Sequence, residues 1–218
     1  MKLFSSWSGG KDCMLALYRI QQTDEHKVVC LVNMCDADGK HSRSHGLRKD
    51  VVAAQAKALE IPIIQKQTDI KEYETNFKSV ITDLKKQGIE GGVFGDIYLE
   101  AHRIWIEGVC REMDIEAVFP LWRDNTHKLL NEFINLGFKA LTVSIHQSML
   151  DKNWLGRDLD ETFVNQITKL KNIDPCAENG EYHSFVYDGP NFKSSVGIVN
   201  GEVYEKNNHW FQEINLVK

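Results

Sequence analysis

A pair of glycines at the end of the first apolar segment constrains this chain more than any other feature. Lys2 to Trp7 predicts a short strand, and Met14, Leu17 and Tyr18 share one helical face at i, i+3, i+4 spacing. Ser8-Gly9-Gly10-Lys11-Asp12-Cys13 must therefore make the turn between them. The alternation then repeats. Val28 to Cys35 predicts a second strand, apolar on both faces as a buried parallel strand is. A polar loop from Asp36 to Ser44 leads to a helix marked by Val52, Ala56 and Leu59, and Ile61-Pro62-Ile63-Ile64 predicts a short strand. Phe77, Val80, Ile81 and Leu84 form a helical stripe that stops near Gly88. Gly92-Val93-Phe94-Gly95 predicts a strand tip, followed by a helix carrying Ile106, Val109, Cys110 and Met113. Glu116 to Phe119, a helix through Leu130, Phe133 and Ile134, and Ala140 to Ile145 complete the series. Such alternation implies parallel strands joined by right-handed crossovers, with helices on both faces: a doubly wound α/β sheet.

Near residue 147 the pattern changes. Leu159 to Leu170 predicts one helix, with Asp158 or Asp160 as its cap, and Asp174-Pro175 rules out regular structure just beyond it. Ser184 to Tyr187, Ser195 to Val199 and Trp210 to Val217 predict strands, with turns at Asp188-Gly189-Pro190 and Asn200-Gly201. We therefore expect an α/β domain over residues 1–146 and a small, mostly-β C-terminal domain over 147–218.

Composition narrows the function. The 218 residues are 42% hydrophobic and 26% charged, enough for a large core plus an appendage and too apolar for disorder. Against 31 Asp and Glu stand 26 Lys and Arg, with no basic stripe, so phosphate neutralisation along a nucleic acid is not expected. The longest apolar runs, such as Val28 to Val32, are too short to cross a membrane. No signal peptide is expected at the N-terminus. Five cysteines without a Cys-x-x-Cys pair argue against a disulfide framework, a zinc ribbon or a thioredoxin motif. Reduced thiols in the cytoplasm are the simplest expectation.

The glycine turn carries chemistry. Ligands of open parallel sheets bind at the carboxyl ends of the strands. There Gly9 and Gly10 allow close backbone approach, and the following helix offers free N–H groups and a positive dipole end to phosphate. Ser8 can donate its hydroxyl to a phosphate oxygen, Lys11 can add charge and Asp12 can hold a magnesium ion. The turn is not a Walker A loop, which needs glycine where Ser5 stands and a hydroxyl where Asp12 stands, and Gly-x-Gly-x-x-Gly is absent. A second polar constellation spans Cys176 to Pro190. Glu178 and Glu181, with Gly180 between them, suggest a loop turning two carboxylates toward one place, and His183 can titrate near neutral pH. A solvated turn before a strand is the plain alternative. His41 and His45, four apart in the polar loop, suit loop polarity or nucleotide contact better than zinc, for want of a third ligand. Trp7, Trp122 and Trp154 suit packing. Asp96, at a strand tip, suits substrate or magnesium as well as it suits a helix cap.

The hexapeptide from Ser8 to Cys13 resembles the PP-loop, Ser-Gly-Gly-x-Asp-Ser, of the ATP pyrophosphatases, with Cys13 where that family usually has serine. A thiol is the weaker hydrogen-bond partner. Glu178-Asn179-Gly180-Glu181-Tyr182, followed by Phe185-Val186-Tyr187-Asp188-Gly189-Pro190-Asn191-Phe192, is similar to the C-terminal signature of the diphthine–ammonia ligases. The likeness runs along nearly the whole chain, through Asn33-Met34-Cys35, the loop of His41 and His45, Gly95-Asp96-Ile97, the helix of Arg103, and Asn153-Trp154-Leu155-Gly156-Arg157.

The resemblance implies a Rossmann-like (HUP-type) nucleotide fold and an ATP-dependent ligase. A substrate carboxylate would attack the α-phosphate, pyrophosphate would leave, and ammonia would displace AMP to form an amide. It further implies Lys11, Asp12, Glu178, Glu181 and His183 as catalytic groups, and Ser8, Gly9, Gly10, Lys11, Asp12, Cys13, Met34 and Gly95 as nucleotide contacts. His45, Asp96, Arg103, Asn179, Gly180 and Tyr182 would bind substrate, and Asp12 would hold Mg2+. The implied partners are ATP, ammonia and elongation factor two or another carboxylate acceptor, with a homodimer allowed. Two alternatives stay open: a PP-loop enzyme acting on a small carboxylate or tRNA, and a non-catalytic AMP- or ATP-sensing module.

Overall fold

A computed structural model describes residues 1–43 and 45–217; Ser44, within the expected polar loop, and Lys218 lie outside the described residues. The parallel sheet has the order β3-β2-β1-β4-β5, with β1 (Lys2–Ser6) at its centre, flanked by β2 (Lys27–Cys35) and β4 (Gly91–Val93). β3 (Ile63–Gln67) and β5 (Glu116–Val118) form the edges, and every pairing is parallel. The crossovers are α1 (Lys11–Gln21), α2 (Lys49–Ala58), α3 (Tyr73–Lys85) and α4 (Glu100–Glu112).

Strand parity explains the two layers. Leu3 and Phe4 are both fully buried and point to opposite faces, because successive side chains alternate along a strand. Leu3 joins a core with Met14 and Leu17 of α1 and Val51 and Val52 of α2. Phe4 joins a separate core with Phe77 and Ile81 of α3 and Ile106 and Val109 of α4, and meets Phe77 and Phe94 edge to face. The doubly wound α/β expectation is met.

A second, antiparallel sheet has the order β7-β6-β9-β8, after α5 (Thr126–Asn135). β6 (Lys139–His146) pairs antiparallel with β7 (Tyr182–Asp188) and β9 (His209–Leu216), and β9 with β8 (Ile198–Lys206). This corrects one expectation: Ala140 to Ile145 does not extend the parallel series but forms a central strand of the second sheet. Its unbroken buried run reads alike in either setting. A second correction concerns the last hairpin. Asn200-Gly201 lies within β8, at an irregularity in its register, and Asn207 and Asn208 make the turn with φ of 52° and 61°. Two successive positive φ values are what a tight hairpin turn requires, and asparagine tolerates them. The helix expected over 159–170 is shorter, α6 (Glu161–Ile167), and Asp160 caps it by accepting the Phe163 N–H at 2.7 Å.

The two sheets share one core: Phe185, Val186 and Ile214 pack in the same cluster as Leu3 and Met14. Hydrogen bonds bind the second sheet to the glycine turn. Val186 N–H donates to the Gly9 carbonyl at 3.0 Å, and the Lys11 N–H to Ser184 Oγ at 3.1 Å. Gln55, buried on α2, ties the junction: its amide nitrogen donates to the carbonyls of Gly9 and Val186, and its oxygen accepts the Trp7 indole N–H at 2.8 Å.

Candidate active site

The site starts at the end of β1. Gly9 has φ of 87°, a conformation that favours glycine, and lets the chain reverse into α1. Ser8 Oγ accepts the Gly10 N–H at 3.3 Å and lies 3.4 Å from Cys13 Sγ, which sets the hydroxyl beside the first turn of α1. Gly95, after β4, is required for a different reason. A Cβ there would lie 2.8 Å from the backbone carbon of Asp12 and 2.8 Å from the nitrogen of Cys13, so only glycine lets β4 approach the start of α1.

Two cavities meet at this turn. The first, of about 590 Å³, is lined on its apolar side by Val32, Met34, Phe77, Phe94 and Ile106, and on its polar side by Ser8, Asp12, Asn33 and Asp96. The second, of about 620 Å³, lies between the glycine turn and the loop before β7, and is lined by Lys11, His45, Asn179, Gly180, Tyr182 and His183. Ser8, Asp12, Asp96, His102 and Glu178 line both.

Lys11 is buried, and its ammonium is held by Asp12 Oδ2 at 2.9 Å, by the Cys176 carbonyl and by the face of the Tyr182 ring. Burial alone would lower its pKa, but Asp12 and then Tyr182 outweigh burial and hold the ammonium charged, above the usual lysine range. Glu178 accepts the N–H groups of Ile97 at 3.1 Å and Tyr98 at 3.2 Å, pinning the C-terminal loop to the tip of β4. Burial first, and the Asp12 charge second, push its carboxyl up to about 7, where it can exchange a proton at neutral pH. Burial likewise raises Asp96.

Two imidazoles stand side by side, the His45 and His183 ring centres 4.5 Å apart. His45 Nδ1 lies 2.9 Å from the Ser184 carbonyl and donates to it, which leaves Nε2 with its lone pair. Burial pushes His45 down to about 4; burial, and then His45 itself, push His183 well below the usual histidine range. Both rings are neutral at pH 7.

The structure brings most of the expected residues together and leaves four off both cavity linings: Gly9 and Gly10, whose backbone makes the turn itself, and Glu181 and Arg103. Ser8, Asp12, Cys13, Met34, Gly95 and Asp96 line the first cavity, while Lys11, His45, Glu178, Asn179, Gly180, Tyr182 and His183 line the second. Glu181 lines neither. Fully buried, it accepts the Asp174 N–H at 2.7 Å, the Asn179 N–H at 3.0 Å and the Asn179 side-chain amide at 3.1 Å, and so folds the loop that carries Glu178. Arg103 also lies outside, paired with Glu107 at 2.6 Å and stacked over Phe119 and Trp122. Cys13 is a buried thiol donating to the Gly10 carbonyl at 3.2 Å, and burial raises its pKa. Asp96 caps no helix; it lies 3.3 Å from the His102 ring. Tyr73, Trp105 and Arg43 in the first cavity, Ser184 in the second and Gln55 behind the turn were not anticipated. Ser184 could have been found from strand parity, since Tyr182 and Ser184 share the face that meets Lys11.

A glycine turn between two cavities with shared lining, at the carboxyl edge of a parallel sheet, is the arrangement by which open α/β proteins bind ligands. Residues 1–117 match the diphthamide synthase N-terminal domain and residues 125–218 the diphthamide synthase C-terminal domain. The chain belongs to the diphthamide synthase family, an enzyme family of carbon–nitrogen ligases. A diphthine–ammonia ligase of Schizosaccharomyces pombe is 26% identical over 94% of this chain, which spans 37% of that longer protein. The human diphthine–ammonia ligase is 26% identical over 93% of this chain and 85% of its own length. A solved structure described as a predicted subunit of tRNA methyltransferase from Methanocaldococcus jannaschii covers 90% of this chain and all of its own, at a TM-score of 0.47 and 16% identity, and bears on neither fold nor function.

Proposed function

We propose that the protein joins ammonia to a substrate carboxylate using ATP, an amidation of the diphthine-to-diphthamide type that proceeds through an acyl-adenylate. One observation carries this reading: Ser8, Asp12, Asp96, His102 and Glu178 line both cavities at once. ATP in the first cavity would place its adenine among Val32, Met34 and Phe94 and its phosphates on the glycine turn, with the α-phosphorus facing the second cavity. A carboxylate oxygen entering there attacks that phosphorus, and the bond to the β-phosphate oxygen breaks. The ammonia nitrogen then attacks the acyl carbon, AMP departs with the oxygen that joined them, and one proton is released.

The residues supply what these steps need. Lys11 and the N–H groups at the start of α1 balance the charge of the leaving pyrophosphate. Glu178, ionised above about pH 7, takes the proton lost on amide formation. Asp12 and Asp96 suit a magnesium ion brought in with the triphosphate, and its chemistry there would be to neutralise phosphate charge. Among the described residues no three His, Cys, Asp or Glu converge to hold an ion unaided, which fits a metal bound by one or two carboxylates plus phosphates. The names of the relatives support diphthine, and hence elongation factor two, as the acceptor. No helix among the described residues is long and apolar enough to cross a membrane, and all five cysteines are free and buried. We place the reaction in the cytoplasm.

The test is to incubate the protein with ATP, magnesium, ammonium and diphthine-bearing elongation factor two. Pyrophosphate and AMP should appear in step with the amide. Nucleotide binding without turnover would favour a sensor, and turnover only with small carboxylates would redirect the acceptor.

A further inference from the structure

A third cavity, of about 610 Å³, lies between the loop after β2 and the β8–β9 hairpin. Asp36 and Asp38 line it from the loop, Tyr204 and Phe211 from the hairpin, and Gly46 from below. His183 lines both this cavity and the second one, so its imidazole is the partition between them. An acceptor whose carboxylate fills the second cavity covers the acyl carbon from that side, yet the nitrogen nucleophile must still reach it. We propose that the third cavity is the entrance for the nitrogen donor, a site for ammonium and ammonia with His183 as its inner gate. This rests on the ligase reading above and adds to it a separate site for the second substrate.

The lining suits a small nitrogen species. Tyr204 and Phe211 stack with centres 5.2 Å apart, and ring faces attract a cation. Asp36 faces Lys206 at 3.5 Å, Asp38 holds His41 at 2.6 Å, and Arg43 on the same lining lies over the Tyr73 ring, so two aspartates stand against two cations and no excess charge is left to seat a large ion. Farther in, the neutral His45 and His183 rings offer lone pairs to the N–H bonds of ammonia, while the Lys11 charge opposes a cation. Ammonium therefore gives one proton to solvent at the mouth, and ammonia passes His183 with its lone pair free for the acyl carbon. Gly46 keeps the passage in shape: a Cβ there would lie 2.6 Å from the Phe211 ring.

Ammonium chloride is titrated against wild type, Lys206→Trp and Tyr204→Ala, with ATP, magnesium and diphthine-bearing elongation factor two. Lys206 is half-exposed at the mouth and tolerates bulk. Lys206→Trp should raise the KM for ammonium at least tenfold while leaving the KM for ATP and for the factor unchanged. Tyr204→Ala should raise the use of methylamine relative to ammonium at least tenfold. An unmoved ammonium KM together with unchanged amine selectivity, or a KM raised for the factor instead, overturns the entrance and leaves the ligase reading standing. A wild-type protein that releases no pyrophosphate overturns the ligase reading and the entrance with it.

Discussion

The ammonium of Lys11, on the first helix, lies 5.2 Å from the centre of the Tyr182 ring on β7. The cation of the glycine turn is thus held by residues about 170 positions downstream, and neither half of the chain builds the site alone. Tyr182 in turn donates its hydroxyl to the Pro175 carbonyl at 2.6 Å, fixing the loop that covers Lys11.

Replacing Lys11 by methionine should therefore cut pyrophosphate formation at least a hundredfold, as loss of a charge-stabilising group does. Tyr182→Phe removes one buried hydrogen bond and should cost about 1 kcal/mol of stability. Pyrophosphate assays and denaturant unfolding check the two. Near-wild-type rates for the Lys11 variant would remove the turn from the chemistry.

Glu181 is expected to act through shape. Its carboxylate accepts three N–H groups within the loop, so Glu181→Gln leaves one of them facing a donor and should cost about 1–3 kcal/mol. ATP affinity should stay within about threefold of wild type, because the first cavity does not include this side chain. An unchanged melting temperature with amide formation abolished would return Glu181 to the reacting atoms.

Glu178 makes a pH prediction. Its carboxyl is raised from 4.5 to about 7, so the folded state holds the proton more tightly than the unfolded chain. The stabilisation this gives is complete below about pH 4.5 and lost as the pH rises toward 7. Glu178→Gln should match wild type at pH 4 and exceed it by about 1–2 kcal/mol at pH 8, allowing for solvent screening. With free ammonia held constant, the amide-forming rate of wild type should rise through pH 7, and that rise should vanish in the variant.

Gly95→Ala tests the approach of β4 to α1. The added carbon meets backbone, which cannot swing aside, so ATP affinity should fall at least tenfold by calorimetry. Retained affinity would mean that the start of α1 does not bind the phosphates.

The glycine turn, the parallel strands and the helical stripes were legible because each is a local pattern: Leu3 and Phe4 alternate, and Phe77, Val80, Ile81 and Leu84 recur at helical spacing. The partner of β6 was not, because its buried run looks the same whichever sheet it joins. Glu178 and Glu181 differ only in loop geometry: three residues apart, one reaches the tip of β4 and the other closes its own loop. Arg103 shares a helix that borders the first cavity, yet its side chain is held by Glu107, four positions on, and by the Phe119 and Trp122 rings. Contacts such as Gln55 with Gly9 and Val186 depend on which loops meet, and no spacing along the chain announces them.

The most direct measurement of the proposed chemistry tracks the oxygen of the acceptor. With the substrate carboxylate labelled by oxygen-18, amide formation through an acyl-adenylate transfers one labelled atom to the phosphate of AMP, and unlabelled pyrophosphate is released. Label found instead in inorganic phosphate, with ADP as the spent nucleotide, would contradict the account.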